Sequence, residues 1–243
     1  MSVEIATRGA VEGIVKALHL SDESSLAGIL ETLGSSSVAD TIINEVFARV
    51  HAKMDLACAH TILTDLVWKA QDLLKEGKIE QGFFQRVVDI AYQDVPTEEP
   101  VEIVSFGIIP IFKVQNRFSV MFVKQSERAV WGFPKGKPAL GESPEETAVR
   151  ELREETALEA ELIGGIDPFR VPMNVPGRVF GRQFSKCIVC FPAFVRGEPM
   201  LDHKELKEYV VVSLSLKGLR NSRLNGYKPW KGYFRSLIKK IRG

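Results

Sequence analysis

Residues 136–158 read GKPALGESPEETAVRELREETAL. Ser143-Pro144 opens a helix over 144–156, with Ser at the cap and Pro at the first helical position. Glu145 and Glu146 in its first turn suit the positive end of the helix dipole. Glu151, Glu154 and Glu155 follow at i, i+3 and i+4, within about 100° of helical arc. Glu142 and Glu146 add carboxylates near the start. Like charges at this density repel, and a hard divalent cation held between them turns repulsion into binding. Arg150 offers one neutralising partner. Ala148, Val149 and Leu152 form a face suited to packing on a sheet. By itself this spacing also suits a solvated acidic face.

Around this segment the pattern is β. Val101–Val114 and Phe118–Lys124 are rich in Val, Ile and Phe, separated by a hairpin turn at Gln115-Asn116-Arg117. Further strands are predicted near 159–163, 168–173, 179–183, 187–195 and 209–213. A last amphipathic helix begins near Trp230, with Phe234, Leu237, Ile238 and Ile241 as its apolar face. The first 95 residues lack strand-like alternation. Val11, Ile14, Val15 and Leu18 recur at helical spacing, as do Val38, Ile42, Ile43, Val46, Phe47 and Val50. Leu56, Ile62, Leu63, Leu66 and Leu73 mark a longer helix ending near Gly77, and Phe83, Phe84, Val87, Val88 and Ala91 another. The class is therefore α+β: a helical bundle of four or five helices over 1–95, a proline-bearing linker over 96–100, and a β-rich domain over 101–243.

With 243 residues, 45% hydrophobic and 26% charged, the chain has globular composition. No apolar run approaches the ~18–20 residues of a membrane span, and MSVEIATRGAVEGIV lacks a signal-peptide pattern. Three cysteines, Cys58, Cys187 and Cys190, are too few for a disulfide scaffold and fit a reducing, cytoplasmic compartment. Cys187 and Cys190 lie three apart on a predicted strand, so their side chains take opposite faces and form no redox or zinc pair. The four histidines, His19, His51, His60 and His203, show no metal-ligand spacing and receive no role. The net charge of +1 conceals an asymmetry. Residues 1–100 hold 8 Lys and Arg against 16 Asp and Glu; residues 101–243 hold 24 against 15. A basic rear half suits an anionic ligand.

Segment 136–158 resembles the signature of the Nudix hydrolase family: Gly, five residues, Glu, seven residues, Arg-Glu, an aliphatic residue, any residue, Glu-Glu, any residue, Gly, aliphatic. Gly136, Glu142, Arg150, Glu151, Leu152, Glu154, Glu155 and Leu158 match. Ala157 stands where the family has glycine, and that glycine ends the catalytic helix. With its flanking strands the resemblance extends over roughly 101–215. It implies a mixed β-sheet between helices. It also implies that Glu151, Glu154 and Glu155, with the Gly136 carbonyl, bind Mg2+ or Mn2+. Glu142 and Arg150 would hold the loop to the helix. The implied reaction is hydrolysis of a diphosphate linked to another moiety, with Glu154 or an outlying glutamate as base. Glu205 stands where many relatives place the latter.

Trp131-Gly132-Phe133-Pro134-Lys135-Gly136-Lys137 resembles the version found in asymmetric diadenosine tetraphosphate hydrolases and eukaryotic mRNA-decapping enzymes. Lys135 and Lys137 are then candidates for contact with outer phosphates. By the same resemblance Arg170 and Arg182 meet phosphate and an aromatic such as Phe169 stacks on a base, although Arg178–Lys186 equally suits a solvated hairpin. The tail 217–242 mixes basic and aromatic residues, which fits either RNA contact or packing of the last helix. The implied substrate is a dinucleoside polyphosphate or related small nucleotide. RNA 5′-end processing and an inactive binding module are the alternatives. The helical part is a candidate site for a protein partner.

Overall fold

The computed structural model describes residues 3–20, 22–126, 131–221 and 230–242. Five helices come first: α1 (Val3–His19), α2 (Glu23–Leu33), α3 (Ala39–His51), α4 (Leu56–Lys75) and α5 (Gln81–Ala91). The spacing anticipated four of them; α2 is the fifth. Its N-terminus is fixed by Asp22, whose side chain accepts the Ser25 N–H at 3.0 Å and the Ser24 and Ser25 hydroxyls. Those bonds hold the Asp22 carboxyl down at about 2. Asp55 caps α4 in the same way through the Cys58 N–H. Gly77, at φ +70°, follows the end of α4 and turns the chain where an L side chain would be strained.

The strands are β1 (Val101–Val114), β2 (Arg117–Gln125), β3 (Trp131–Gly132), β4 (Lys135–Gly136), β5 (Glu159–Leu162), β6 (Phe169–Val179), β7 (Arg182–Arg196) and β8 (Leu206–Ser213). Helix α6 (Pro144–Thr156) lies between β4 and β5; α7 (Leu216–Asn221) and α8 (Trp230–Arg242) follow β8. The α+β class expected from sequence is the class observed. One sheet runs β3-β2-β1-β7-β5, with β4 on β1, β6 on β7 and β8 on β2. The β1–β2 hairpin closes at Val114↔Arg117 through Gln115 at φ +53°.

Strands read from sequence as two pieces, near 168–173 and 179–183, belong to one long β6–β7 hairpin. It turns at Phe180 and Gly181, at φ +55° and +73°, the left-handed pair that a tight two-residue turn requires. Pro172 and Pro176 look like breakers in sequence. They are tolerated because, among the described residues, β6 is paired with β7 alone and so lies at an edge of the sheet.

The chain forms two compact units. The first contains the chain up to Val104 together with Lys137–Ser143 and Pro172–Cys187, so the turn segment 96–100 lies within it. Its core joins Ile14, Leu30, Ile43, Val46, Leu63 and Leu66 from the helices to Val101, Leu140 and Phe184. Phe180 packs edge-on against Trp68 and Phe84, with ring centroids 4.7 and 5.9 Å apart. The second contains Ser105–Gly136, Pro144–Val171 and the chain from Ile188 on. Its core holds Ile109, Ile111, Phe122, Phe133, Val171, Phe234 and Leu237. The apolar face read for the last helix is thus a packing face, and Lys239 and Lys240 stay exposed. Tyr227, part of the basic and aromatic tail, lies outside the described residues. Cys187 and Cys190 lie on β7 and form no disulfide among the described residues. Burial raises the Cys58 thiol to about 12, which leaves it unreactive. No described helix is long and apolar enough to cross a membrane.

Candidate functional site

Helix α6 carries two different faces. Thr147, Ala148 and Leu152 are completely buried, which fixes the helix rotation. Glu155 lies seven residues after Ala148 and three after Leu152, so it falls on the same buried stripe. It is only 6% exposed. Glu151 is largely buried, with its side chain 14% exposed, and Glu154 is 59% exposed. Three glutamates that look equivalent in sequence therefore occupy three environments.

Burial is the main reason the Glu155 carboxyl is pushed up from its ordinary 4.5 to about 8. The Lys135 charge and the Lys135 N–H, which donates to Glu155 Oε2 at 3.2 Å, oppose that rise. The Glu151 and Glu205 charges add to it. Arg150 donates through one nitrogen to Glu151 Oε1 at 2.8 Å and Glu154 Oε2 at 2.9 Å, holding the two carboxylates together. Gly136 runs against the Glu151 carboxylate so closely that an added Cβ would fall 2.1 Å from Glu151 Cδ. Any side chain here would push the Glu151 carboxylate aside, so this glycine leaves room for that carboxylate by close approach rather than by backbone angle.

Two features of the chain bring these groups together. Lys135 and Gly136 form β4, which pairs with Gly107 and Phe106 of β1. At the other end of α6, the Asp202 N–H donates to the Glu155 carbonyl and the Met200 N–H to the Thr156 carbonyl, both at 2.9 Å. Those bonds satisfy carbonyls that a helix end leaves open. They also anchor the loop that continues to Glu205, an exposed residue whose charge reaches Glu155. Ala157 ends the helix at φ +56°, with its N–H donating to the Arg153 carbonyl at 2.8 Å. The residue that departs from the family signature thus adopts the left-handed conformation that glycine serves there.

Other residues singled out from sequence have different surroundings. Glu142 accepts the Ala139 N–H at 2.9 Å and donates its own N–H to the Ala139 carbonyl. Lys137 pairs with Asp65 of α4. Arg182 donates to the carbonyls of Tyr92 and Val95, where it closes the C-terminal end of α5. These three belong to the first compact unit. In the second unit, Arg170 is exposed on β6. Phe169 is buried against Tyr233, with ring centroids 4.9 Å apart. The capping role of Arg182 was not legible beforehand, since a backbone carbonyl carries no residue-specific mark. Nor was the meeting of His51, His60 and Asp94, which come from separate elements.

The donors of α6 and β4 fit a hard divalent cation. They are carboxylates with one backbone carbonyl, and one carboxyl is buried enough that its ionised form is costly without a positive charge beside it.

Residues 102–229 match the NUDIX domain model. An ADP-ribose pyrophosphatase of Bacillus subtilis (strain 168) is 35% identical over 99 residues, covering 37% of this chain and 54% of that protein. The match thus spans about half the relative's length. Among solved structures, the MutT protein from Methanosarcina mazei Go1 is 19% identical with a TM-score of 0.44, covering 61% of this chain and 100% of that one. A C. elegans Ap4A hydrolase binary complex is 15% identical with a TM-score of 0.42, covering 57% and 96%. With more than half of its length matched by the NUDIX domain model, the chain belongs to the Nudix family.

Proposed function

We propose that the protein is a divalent-metal-dependent hydrolase of nucleoside diphosphate derivatives, with ADP-ribose as the first substrate to test and dinucleoside polyphosphates as the second. The observation that carries this reading is the buried Glu155 carboxyl grouped with Glu151, Glu154 and the Gly136 backbone. These groups would hold Mg2+ or Mn2+. When bound, the cation would neutralise phosphate oxygens and lower the pKa of a water. Arg150 keeps Glu151 and Glu154 aimed at one place. The proton from the attacking water passes to a carboxylate oxygen of Glu154 or Glu205, both exposed and free to reach solvent. Water oxygen bonds to phosphorus as the bridging P–O bond breaks, giving two phosphomonoesters from ADP-ribose.

The order of substrates rests on where the cations are. Lys137 and Arg182, candidates for outer phosphates, are engaged by Asp65 and by backbone carbonyls. Lys135 is the lysine whose charge reaches the carboxylates. One lysine suits a diphosphate better than a tetraphosphate, in keeping with the name of the 35% identical relative. Residues 1–95 supply none of these groups, which fits a helical domain, with a protein partner as its proposed role, preceding a Nudix domain over 101–243. The deciding experiment offers ADP-ribose, diadenosine polyphosphates, nucleoside triphosphates and capped RNA with Mg2+ or Mn2+, and reads product masses. AMP and ribose 5-phosphate from ADP-ribose, lost in Glu154→Gln, are the expected result. Turnover of none of these substrates would refute the reading, and preference for capped RNA would replace it.

A further inference from the structure

His51 ends α3, His60 lies in the first half of α4, and Asp94 follows α5. Forty-three residues of sequence separate the outer two, yet one ligand atom from each lies within 4.8 Å of the others. His60 Nε2 is 3.1 and 3.2 Å from the two Asp94 oxygens, and His51 Nε2 is 4.0 Å from Asp94 Oδ2. The His60 side chain is 1% exposed, that of His51 20% and that of Asp94 26%. Two buried ring nitrogens here, His51 Nε2 and His60 Nδ1, have no hydrogen-bond partner among the described residues. Buried polar atoms in native proteins are nearly always paired, so the orphaned His51 Nε2, 4.0 Å from Asp94 Oδ2, calls for a missing partner.

From this geometry we propose that His51, His60 and Asp94 bind one divalent transition-metal cation of the zinc class. Two imidazole nitrogens and one carboxylate oxygen form a borderline-soft set that suits zinc, whereas Mg2+ and Ca2+ prefer oxygen donors. Ligands on a tetrahedral ion stand ~3.4 Å apart, given metal–nitrogen bonds of ~2.0–2.1 Å. The His60–Asp94 spacing is already close to this, and His51 reaches it by side-chain rotation. Asp94 also lines a cleft of about 520 Å3 bounded by Gln85, Tyr92, Pro96 and Arg182, which supplies a route of entry and room for water in the fourth position. The cation would tie the ends of α3 and α5 to the middle of the bundle. All three ligands lie in the first compact unit, and none is a group assigned to hydrolysis, so the proposal stands or falls apart from the catalytic reading.

The test uses the full chain with Glu151, Glu154 and Glu155 all changed to Gln, stripped by chelator and titrated calorimetrically with zinc alone. One zinc per chain is expected, with His51→Ala or Asp94→Asn weakening binding at least about tenfold and leaving the far-ultraviolet circular dichroism unchanged. Cobalt should give the intense visible bands of a low-coordinate nitrogen site, lost in the same variants. In the otherwise wild-type chain, His51→Ala should remove one zinc equivalent, which keeps the test decisive if the triple variant does not fold. Absence of zinc binding in the stripped triple variant, or binding that neither substitution weakens, would overturn the proposal.

Discussion

Glu155→Gln, studied without metal, separates the electrostatic cost of this carboxylate from its service to catalysis. In the folded chain its pKa is raised from 4.5 to about 8, chiefly by burial. Below pH 4.5 both folded and unfolded chains carry the proton, and the group contributes nothing. Between 4.5 and 8 the unfolded chain has released the proton while the folded chain keeps it, so stability falls as pH rises. The loss is about 1.4 kcal/mol per pH unit and on the order of 5 kcal/mol once pH exceeds 8. Glutamine has the same shape and no such dependence, although leaving its NH2 unpaired costs about 1–3 kcal/mol. Urea melts in EDTA from pH 4 to 9 should therefore show the variant level with or below wild type at the acid end and above it at pH 9. Mg2+ or Mn2+ should favour the ionised wild type and release protons near neutral pH, and should do neither for the variant. A stability difference that stays constant across pH would refute the argument, because it would mean that Glu155 does not titrate as a buried carboxyl.

Ala157→Gly should stabilise the fold by about 0.4–1 kcal/mol, since Ala157 sits at φ +56°; a lower melting temperature would contradict this. Arg182→Ala should cost about 1–3 kcal/mol in stability by releasing the Tyr92 and Val95 carbonyls and leave KM unchanged, whereas a raised KM with normal stability would make Arg182 a phosphate ligand. Lys135→Ala removes the charge that opposes burial at Glu155, so the acid limb of the pH–rate profile should move to higher pH; a KM rise with that limb unmoved would indicate phosphate contact alone. A chain starting at Pro96 loses Trp68, Phe84 and Tyr92, the partners of Phe180 and Phe184, and should melt lower and bind hydrophobic dye. Unaltered melting would show that those contacts contribute little.

Local order made much of this protein legible from sequence. A helix needs only neighbours three and four residues away, so the spacing of Val11 to Leu18 or Leu56 to Leu73 is sufficient to reveal one. The carboxylates of α6 were readable for the same reason: their number, order and arc are properties of one short segment. Their inequality was not. Whether Glu151, Glu154 or Glu155 meets water depends on what lies above the helix, and that is decided by β4 and by the loop holding Asp202 and Glu205, which are remote in sequence. The same applies to Arg182, whose partners are carbonyl oxygens that every residue possesses. It applies most strongly to His51, His60 and Asp94. Their spacing carries no periodic signal, and only the packing of α3, α4 and the end of α5 brings them within 4.8 Å, because side-chain chemistry is written locally while proximity is set by long-range packing.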